Sequence, residues 1–154
     1  MGSQMITALL IGRKGSRGFP GKNTASVLGK PMAWYPMKTA KSVSEIKKTY
    51  ISTDDPELIS LAKSMDVEII ERPHYLANDQ ALGDHAFQHG YNEITKRLGK
   101  KPDLIVLLFC NAATISMKAI YKGIEILRSQ PEFDSAVTVS RYNMWSPLRA
   151  RKLV

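Results

Sequence analysis

The sequence predicts a three-layer α/β sandwich around a mainly parallel sheet, and three observations predict it. Apolar, β-branched runs alternate four times with segments of helical spacing. The run LIVLLF, Leu104 to Phe109, is apolar without a break, as in a central parallel strand covered by helices on both faces. The first apolar run passes directly into IGRKGSRGFPGKN, residues 11 to 23, a glycine-rich cationic stretch at the strand end where ligands bind in such sheets.

Taken in order, Ile6 to Ile11 is the first strand. Met32 to Val43 has helical spacing, with Pro36 in its opening turns, where the ring costs a hydrogen bond unless the helix starts later. Thr49 to Ser52 is the second strand. Asp55 then caps a helix from Pro56 to Met65: Pro56 suits the first helical position, Glu57 the first turn, and Leu58, Leu61, Ala62 and Met65 share one face. Val67 to Ile70 is a strand, Ala81 to Leu98 a helix, Leu104 to Phe109 a strand, Met117 to Ser129 a helix and Ser135 to Val139 a last strand. No repeat, low-complexity tract or linker breaks the pattern, which gives one Rossmann-like domain over residues 1–154 with its core in 5–140. Residues 141–154 are basic and aromatic without periodicity, and the chain is expected to be truncated there, inside a C-terminal segment that continues.

Composition narrows the function. A chain of 154 residues that is 44% hydrophobic has the size and core of one domain. No apolar run reaches the roughly 18 residues of a membrane span. Met1 to Gln4 has neither the charged nor the apolar region of a signal peptide and reads as a cloning remnant, so a soluble cytoplasmic protein is expected. The single cysteine, Cys110, excludes an intrachain disulfide framework and suits a reducing compartment. The net charge of +8 attracts phosphates of any kind. Trp34, Tyr35, Tyr142 and Trp145 form no evenly spaced platform for bases, so nucleic-acid binding rests on charge alone. Nucleotides and sugar acids are anionic too, and a pocket for them needs only a few placed cations.

In residues 11 to 23, Gly12, Gly15, Gly18 and Gly21 recur at intervals of three among Arg13, Lys14, Arg17 and Lys22. A P-loop would need glycine where Ser16 stands and Ser or Thr where Asn23 stands. A dinucleotide fingerprint needs glycines at i, i+2 and i+5, which no register supplies. What survives is a phosphate-wrapping loop, in which glycines bring backbone N–H groups close to an anion that Arg13, Arg17 and Lys22 neutralise; a solvated turn is the bland alternative. The other loops on that edge are Thr53-Asp54-Asp55, Glu71 to Asp79, and Cys110 to Thr114.

Adjacent Asp54 and Asp55 suit Mg²⁺, but Asp55 before Pro56 and Glu57 fits a helix cap better. His85 and His89 have zinc-ligand spacing without a third ligand, which favours ordinary interface histidines. Cys110 ends a strand beside Asn111 with no histidine tied to it, and reads as a core or site-lining thiol rather than a nucleophile.

The ordered stretches GRKGSRGFPGKN, LGKP, STDD, ERPHYLANDQA and LIVLL resemble the cytidylyltransferases that activate acidic sugars, namely the CMP-N-acylneuraminate (sialic acid) synthetases and their CMP-Kdo synthetase relatives. Arg13, Ser16, Arg17, Gly18, Pro20, Lys22 and Asn23 take the positions of that family's opening motif, with Gly12 for the usual alanine and Arg17 for the usual lysine. Arg72, Pro73, Leu76, Ala77, Asp79 and Ala81 match its later motif R-P-x-x-L-A-x-D-x-A in full. The resemblance covers essentially the whole chain and implies a fold of the nucleotide-diphospho-sugar transferase type. It implies an enzyme joining the anomeric hydroxyl of a 2-keto-3-deoxy sugar acid to the α-phosphate of CTP, releasing pyrophosphate with Mg²⁺ assisting, as a homodimer.

By carry-over, Arg13 and Lys22 would bind the triphosphate and act in catalysis, and Ser16 and Arg17 would meet phosphate or nucleoside. Asn23 and Arg72 would meet ribose and cytosine, and the loop from Asp79 to Gly83 the base edge. Two departures stand out. Where the family reads L-L-Q-P-T-S-P-L-R, this chain has Leu107 to Ile115, with Phe109 for the glutamine, Cys110 for the first proline and Ile115 for the arginine. The family's metal-binding aspartates lie in a later segment, so no metal ligands are expected within these residues. That leaves a catalytically silent nucleotide-binding or assembly module as the rival reading.

Overall fold

In the computed structural model, residues 4–15, 18–77 and 83–139 are described. In chain order they form β1 (Ile6–Ile11), β2 (Ser26–Val27), β3 (Lys30–Pro31), α1 (Trp34–Ser42), β4 (Ile46–Thr53) and α2 (Pro56–Ser64). These are followed by β5 (Glu68–Glu71), a 3-10 turn (His74–Leu76), α3 (Gly83–Leu98), β6 (Leu104–Phe109) and α4 (Met117–Ser129). Four strands make one parallel sheet in the order β5-β4-β1-β6.

Alternation along β1 separates two hydrophobic layers. Ile6, Ala8 and Leu10 pack with Met37 and Ala40 of α1, Leu58 and Ala62 of α2, and Ile120 and Ile124 of α4. On the opposite face Leu9 and Ile11 meet Ala86 and Ile94 of α3. The result is the expected three-layer sandwich, with β1 fully buried at its centre. None of the described helices is long and apolar enough to cross a membrane.

Gly90 lets α3 approach that sheet: a Cβ there would lie 2.6 Å from Cδ2 of Leu9, a side chain with no solvent exposure. Overpacking a core costs about 1–3 kcal/mol, more than the helix propensity that alanine restores at roughly 1 kcal/mol. Gly90→Ala is therefore expected to lower the unfolding free energy by about 1 kcal/mol, read from urea denaturation. A gain in stability would show that Leu9 has room to turn away.

The structure departs from expectation at four places. α1 starts at Trp34, not Met32, which puts Pro36 in the first turn, where an N–H has no helical partner to lose. The first helical bond is Met37 N–H to the Ala33 carbonyl, at 3.3 Å. Residues 26–31, unassigned from the sequence, form an antiparallel hairpin turning through Leu28 (φ 47°) and Gly29 (φ 79°). Leucine rarely adopts such a φ, so no turn signal announced it. β6 is an edge of the four-stranded sheet rather than a central strand, with Leu107 39% and Phe109 53% exposed. The face carrying Leu107 and Phe109 is therefore left open among the described residues, so the unbroken apolar run reports neither full cover on both faces nor a central position.

Finally, Ser135 to Val139 is exposed and in no strand. β-branched composition favours extended backbone, but a strand also needs a pairing partner, and none of the described residues pairs with this segment.

Candidate functional site

The chain builds β1, β4 and β5 outward in one direction and then crosses back to place β6 on the other side of β1. The sheet's switch point therefore lies between β1 and β6, where the loops leaving their carboxyl ends diverge and open a crevice. A cleft of about 190 Å³ sits there, lined by Ile11, Gly12, Arg13, Lys22, Asn23, Arg72, Leu76, Gly83, Ala86, Phe109 and Asn111. A larger hollow of about 440 Å³ lies elsewhere, between Glu45 before β4 and the carboxyl end of α4, where no strand presents its carboxyl end.

Backbone bonds fix the root of the glycine-rich loop to both neighbouring strands. Gly12 N–H donates to the Ser52 carbonyl at 3.2 Å, and Cys110 N–H donates to the Ile11 carbonyl at 3.1 Å. Gly12 has no room for a side chain: a Cβ would stand 2.6 Å from Cys110 Sγ and 2.8 Å from Leu58 Cδ1. Its glycine is thus a packing requirement, whereas Gly15 (φ 75°) and Gly21 (φ 70°) bend the loop through the left-handed region. Further out, Lys14 N–H donates to Asp54 Oδ1 at 2.9 Å, and Asn23 Nδ2 donates to the Arg13 carbonyl at 3.3 Å. Asn23 is buried and its own carbonyl accepts from Ala33 N–H at 2.9 Å. It lines the cleft and also braces the loop, a role the sequence reading did not include.

Three cations converge on the cleft. Arg13 Nη1 donates to the Ala77 carbonyl at 3.4 Å, and Lys22 is half-buried just after the bend at Gly21. Arg72 is buried, and its Nη2 donates to the Ser52 carbonyl at 2.7 Å and its Nε to Ser52 Oγ at 3.3 Å. One carbonyl, that of Ser52, therefore holds both the loop root and the deepest guanidinium. Burial pulls the Arg72 pKa down, and the Asp54 carboxylate opposes that shift. Arginine stays protonated regardless, so the cleft floor keeps a fixed positive charge.

Of the sequence-predicted residues, Arg13, Lys22, Asn23, Arg72 and Gly83 all line this cleft. Ser16, Arg17 and Asp79 lie outside the described residues, as do residues 141–154. The sequence reading missed Ser52 as the anchor of Arg72 and Asp54 as the anchor of the loop; the STDD stretch was the available signal for both.

Asp55 Oδ1 accepts from Glu57 N–H at 2.9 Å and so caps α2. Among the described residues, no three His, Cys, Asp or Glu side chains gather where they could hold a metal, and this holds for Asp54, Asp55, His85 and His89. Cys110 is fully buried, and burial pushes its thiol up to about 12, against the pull of Arg72. It stays protonated at neutral pH and lies in the core, which removes it as a nucleophile.

Comparison with known proteins places the chain by family and fold. A profile of the family described as Cytidylyltransferase matches residues 7–147. Over 147 residues the chain is 27% identical to the Helicobacter pylori protein named pseudaminic acid cytidylyltransferase and UDP-2,4-diacetamido-2,4,6-trideoxy-beta-L-altropyranose hydrolase, covering 95% of this chain and 28% of that one. It is 23% identical to an N-acylneuraminate cytidylyltransferase of Escherichia coli, covering 90% of this chain and 32% of the other. In fold it resembles a CMP:2-keto-3-deoxy-manno-octonic acid synthetase solved with CTP, at a TM-score of 0.67 and 21% identity, over 83% of this chain and 49% of that one. The chain thus spans about a third of these two curated relatives and about half of the solved structure.

Proposed function

Because the chain belongs to the cytidylyltransferase family, we propose that it activates an acidic 2-keto-3-deoxy sugar with CTP, giving a CMP-sugar and pyrophosphate. The observation that carries this reading is the convergence of Arg13, Lys22 and Arg72 on one cleft at the switch point of a parallel sheet. The family match and the two curated relatives, both named as cytidylyltransferases, favour an enzyme over the silent binding module.

The reaction needs no protein nucleophile. The anomeric hydroxyl oxygen of the sugar attacks the α-phosphorus of CTP, the bond to the β-phosphate oxygen breaks, and the electron pair leaves with pyrophosphate. Such transfers are accelerated chiefly by placing the two reactants and by neutralising charge on the phosphoryl oxygens. Arg13 and Lys22 border the glycine-rich loop and supply that charge, while Arg72 adds a fixed cation from below. Asn23, through the Arg13 carbonyl, ties the two ends of the loop together before the anion arrives.

Mg²⁺ is proposed as the assisting ion on resemblance alone. The described residues do not fit it as a bound cofactor, because Asp54 and Asp55 spend carboxylate oxygens on Lys14 and Glu57 N–H groups and no third ligand joins them. Homodimer formation and a cytoplasmic location are proposals of the same kind.

The proposal is tested by pyrophosphate release from the full gene product with CTP, ATP or GTP and a panel of acidic and neutral sugars. Turnover is expected with CTP and a 2-keto-3-deoxy acid only. Equal turnover with neutral sugars, or with ATP, would end this reading.

A further inference from the structure

We propose that the end of the molecule opposite the cleft is a docking face for an anionic lipid surface, carried by Lys48, Lys96, Arg97, Lys100 and Lys101.

Topology brings these five together. α3 begins with Gly83 at the cleft and spans 16 residues, so its far end lies about 24 Å away, beside the amino ends of the strands. Lys96 and Arg97 occupy its last turn, and Gly99 (φ 69°) then turns the chain so that Lys100 and Lys101 lie just before β6. Lys48, near the start of β4, reaches the same end: its Nζ lies 2.9 Å from Glu68 Oε1, and Arg97 Nη1 lies 3.9 Å from Glu68 Oε2. All five residues are exposed.

The charge there is not balanced from within. Glu68 is shared by Lys48 and Arg97, Asp103 accepts from Met5 N–H at 2.6 Å, and Glu93 lies one turn back on α3. Lys96, Lys100 and Lys101 form no ion pair among the described residues. The carbonyl end of a helix attracts cations, which accounts for Lys96 and Arg97. It does not account for Lys100 and Lys101, which lie beyond the helix and add repulsion that the fold leaves uncompensated.

The residue types choose the partner. Four of the five are lysines, whose ammonium is a point charge, and the one arginine already faces Glu68, so no free guanidinium fork remains to clamp a single phosphate. None of the large exposed apolar side chains among the described residues belongs to the set, so nothing in it stacks on a base or enters hydrocarbon. What remains is attraction to a diffuse negative surface, at which each lysine strengthens binding about fivefold. The cleft faces the other way and stays open while this end is docked.

The test sediments the full gene product with vesicles of phosphatidylcholine alone or of equal parts phosphatidylcholine and phosphatidylglycerol. Binding is expected to the mixed vesicles only, and is expected to vanish between about 0.1 M and about 1 M salt, as the screening length shrinks from ~10 to ~3 Å. The triple variant Lys96→Gln, Lys100→Gln, Lys101→Gln should bind about 10²-fold more weakly with its thermal midpoint unchanged. The variant Lys38→Gln, Lys118→Gln, Lys122→Gln removes the same charge from exposed positions of α1 and α4, and should bind within a few fold of the unaltered protein. Failure of the unaltered protein to bind the mixed vesicles overturns the proposal. So do equal losses in the two triple variants, because net charge would then be the cause. Tighter binding to a DNA duplex at the same salt, abolished in the first variant, would make this end a nucleic-acid site instead. No turnover is read, so the outcome is independent of the function proposed above.

Discussion

Lys22→Ala is expected to lower kcat/KM for CTP by about 10²–10³-fold while leaving the thermal midpoint in place. The size follows from what one preorganised cation or donor contributes where charge develops in a transition state. The indifference of the fold follows from position: Lys22 lies in a turn after Gly21, half-buried on the cleft wall, outside the hydrophobic layers. Arg72→Ala provides the contrast. Removing its guanidinium takes donors from the Ser52 carbonyl and hydroxyl in a buried setting, which adds about 1–3 kcal/mol of lost stability to any loss of rate. Pyrophosphate release and scanning fluorimetry on both variants separate the two roles. A Lys22→Ala protein that keeps its rate within a few fold would remove Lys22 from the reacting phosphates, and one whose midpoint falls like that of Arg72→Ala would make it structural.

What the sequence disclosed and what it hid divide along the range of the interactions. Ile6 to Ile11, the capped start at Asp55-Pro56 and the run Leu104 to Phe109 were legible because periodicity and capping are local. Arg13, Lys22 and Arg72 were legible because their loops follow the carboxyl ends of strands that parallel topology brings together, whereas Asn23 and Gly83 were legible only through the family resemblance. The hairpin through Leu28 was hidden, since a leucine at positive φ violates the local rule. The edge position of β6 and the unpaired state of Ser135 to Val139 were hidden because pairing is decided by distant chain. Asp54 was read only as a partner of Asp55 or a metal ligand, yet its oxygen holds Lys14 N–H from 40 residues away in sequence. Composition carries no trace of such a contact.

The two departures at positions 12 and 110 are legible only together, and they set the second large prediction. The resembled family usually has alanine where this chain has Gly12 and proline where it has Cys110. Here Cys110 Sγ lies 2.6 Å, and its Cβ 2.9 Å, from where an alanine Cβ at position 12 would stand. Leu58 Cδ1, at 2.8 Å, closes the third side, and both neighbours are fully buried. Gly12→Ala is therefore expected to destabilise the fold by about 2 kcal/mol, within the 1–3 kcal/mol typical of an overpacked core, which lowers the midpoint by roughly 4–8 °C at this size. It should cost activity at temperatures where the protein is still folded, because Gly12 N–H bonds the Ser52 carbonyl that also holds Arg72. Adding Cys110→Ala removes the sulfur but not the Cβ, so the double variant should recover part of the loss, and a double-mutant cycle should give a favourable coupling above 0.5 kcal/mol. Additive effects would point to Leu58 as the limiting neighbour. A fully stable Gly12→Ala would mean that β1 and β6 can part by about 1 Å, the gap between 2.6 Å and an ordinary nonbonded contact, and that the loop root is less rigid than its bonds to both strands imply.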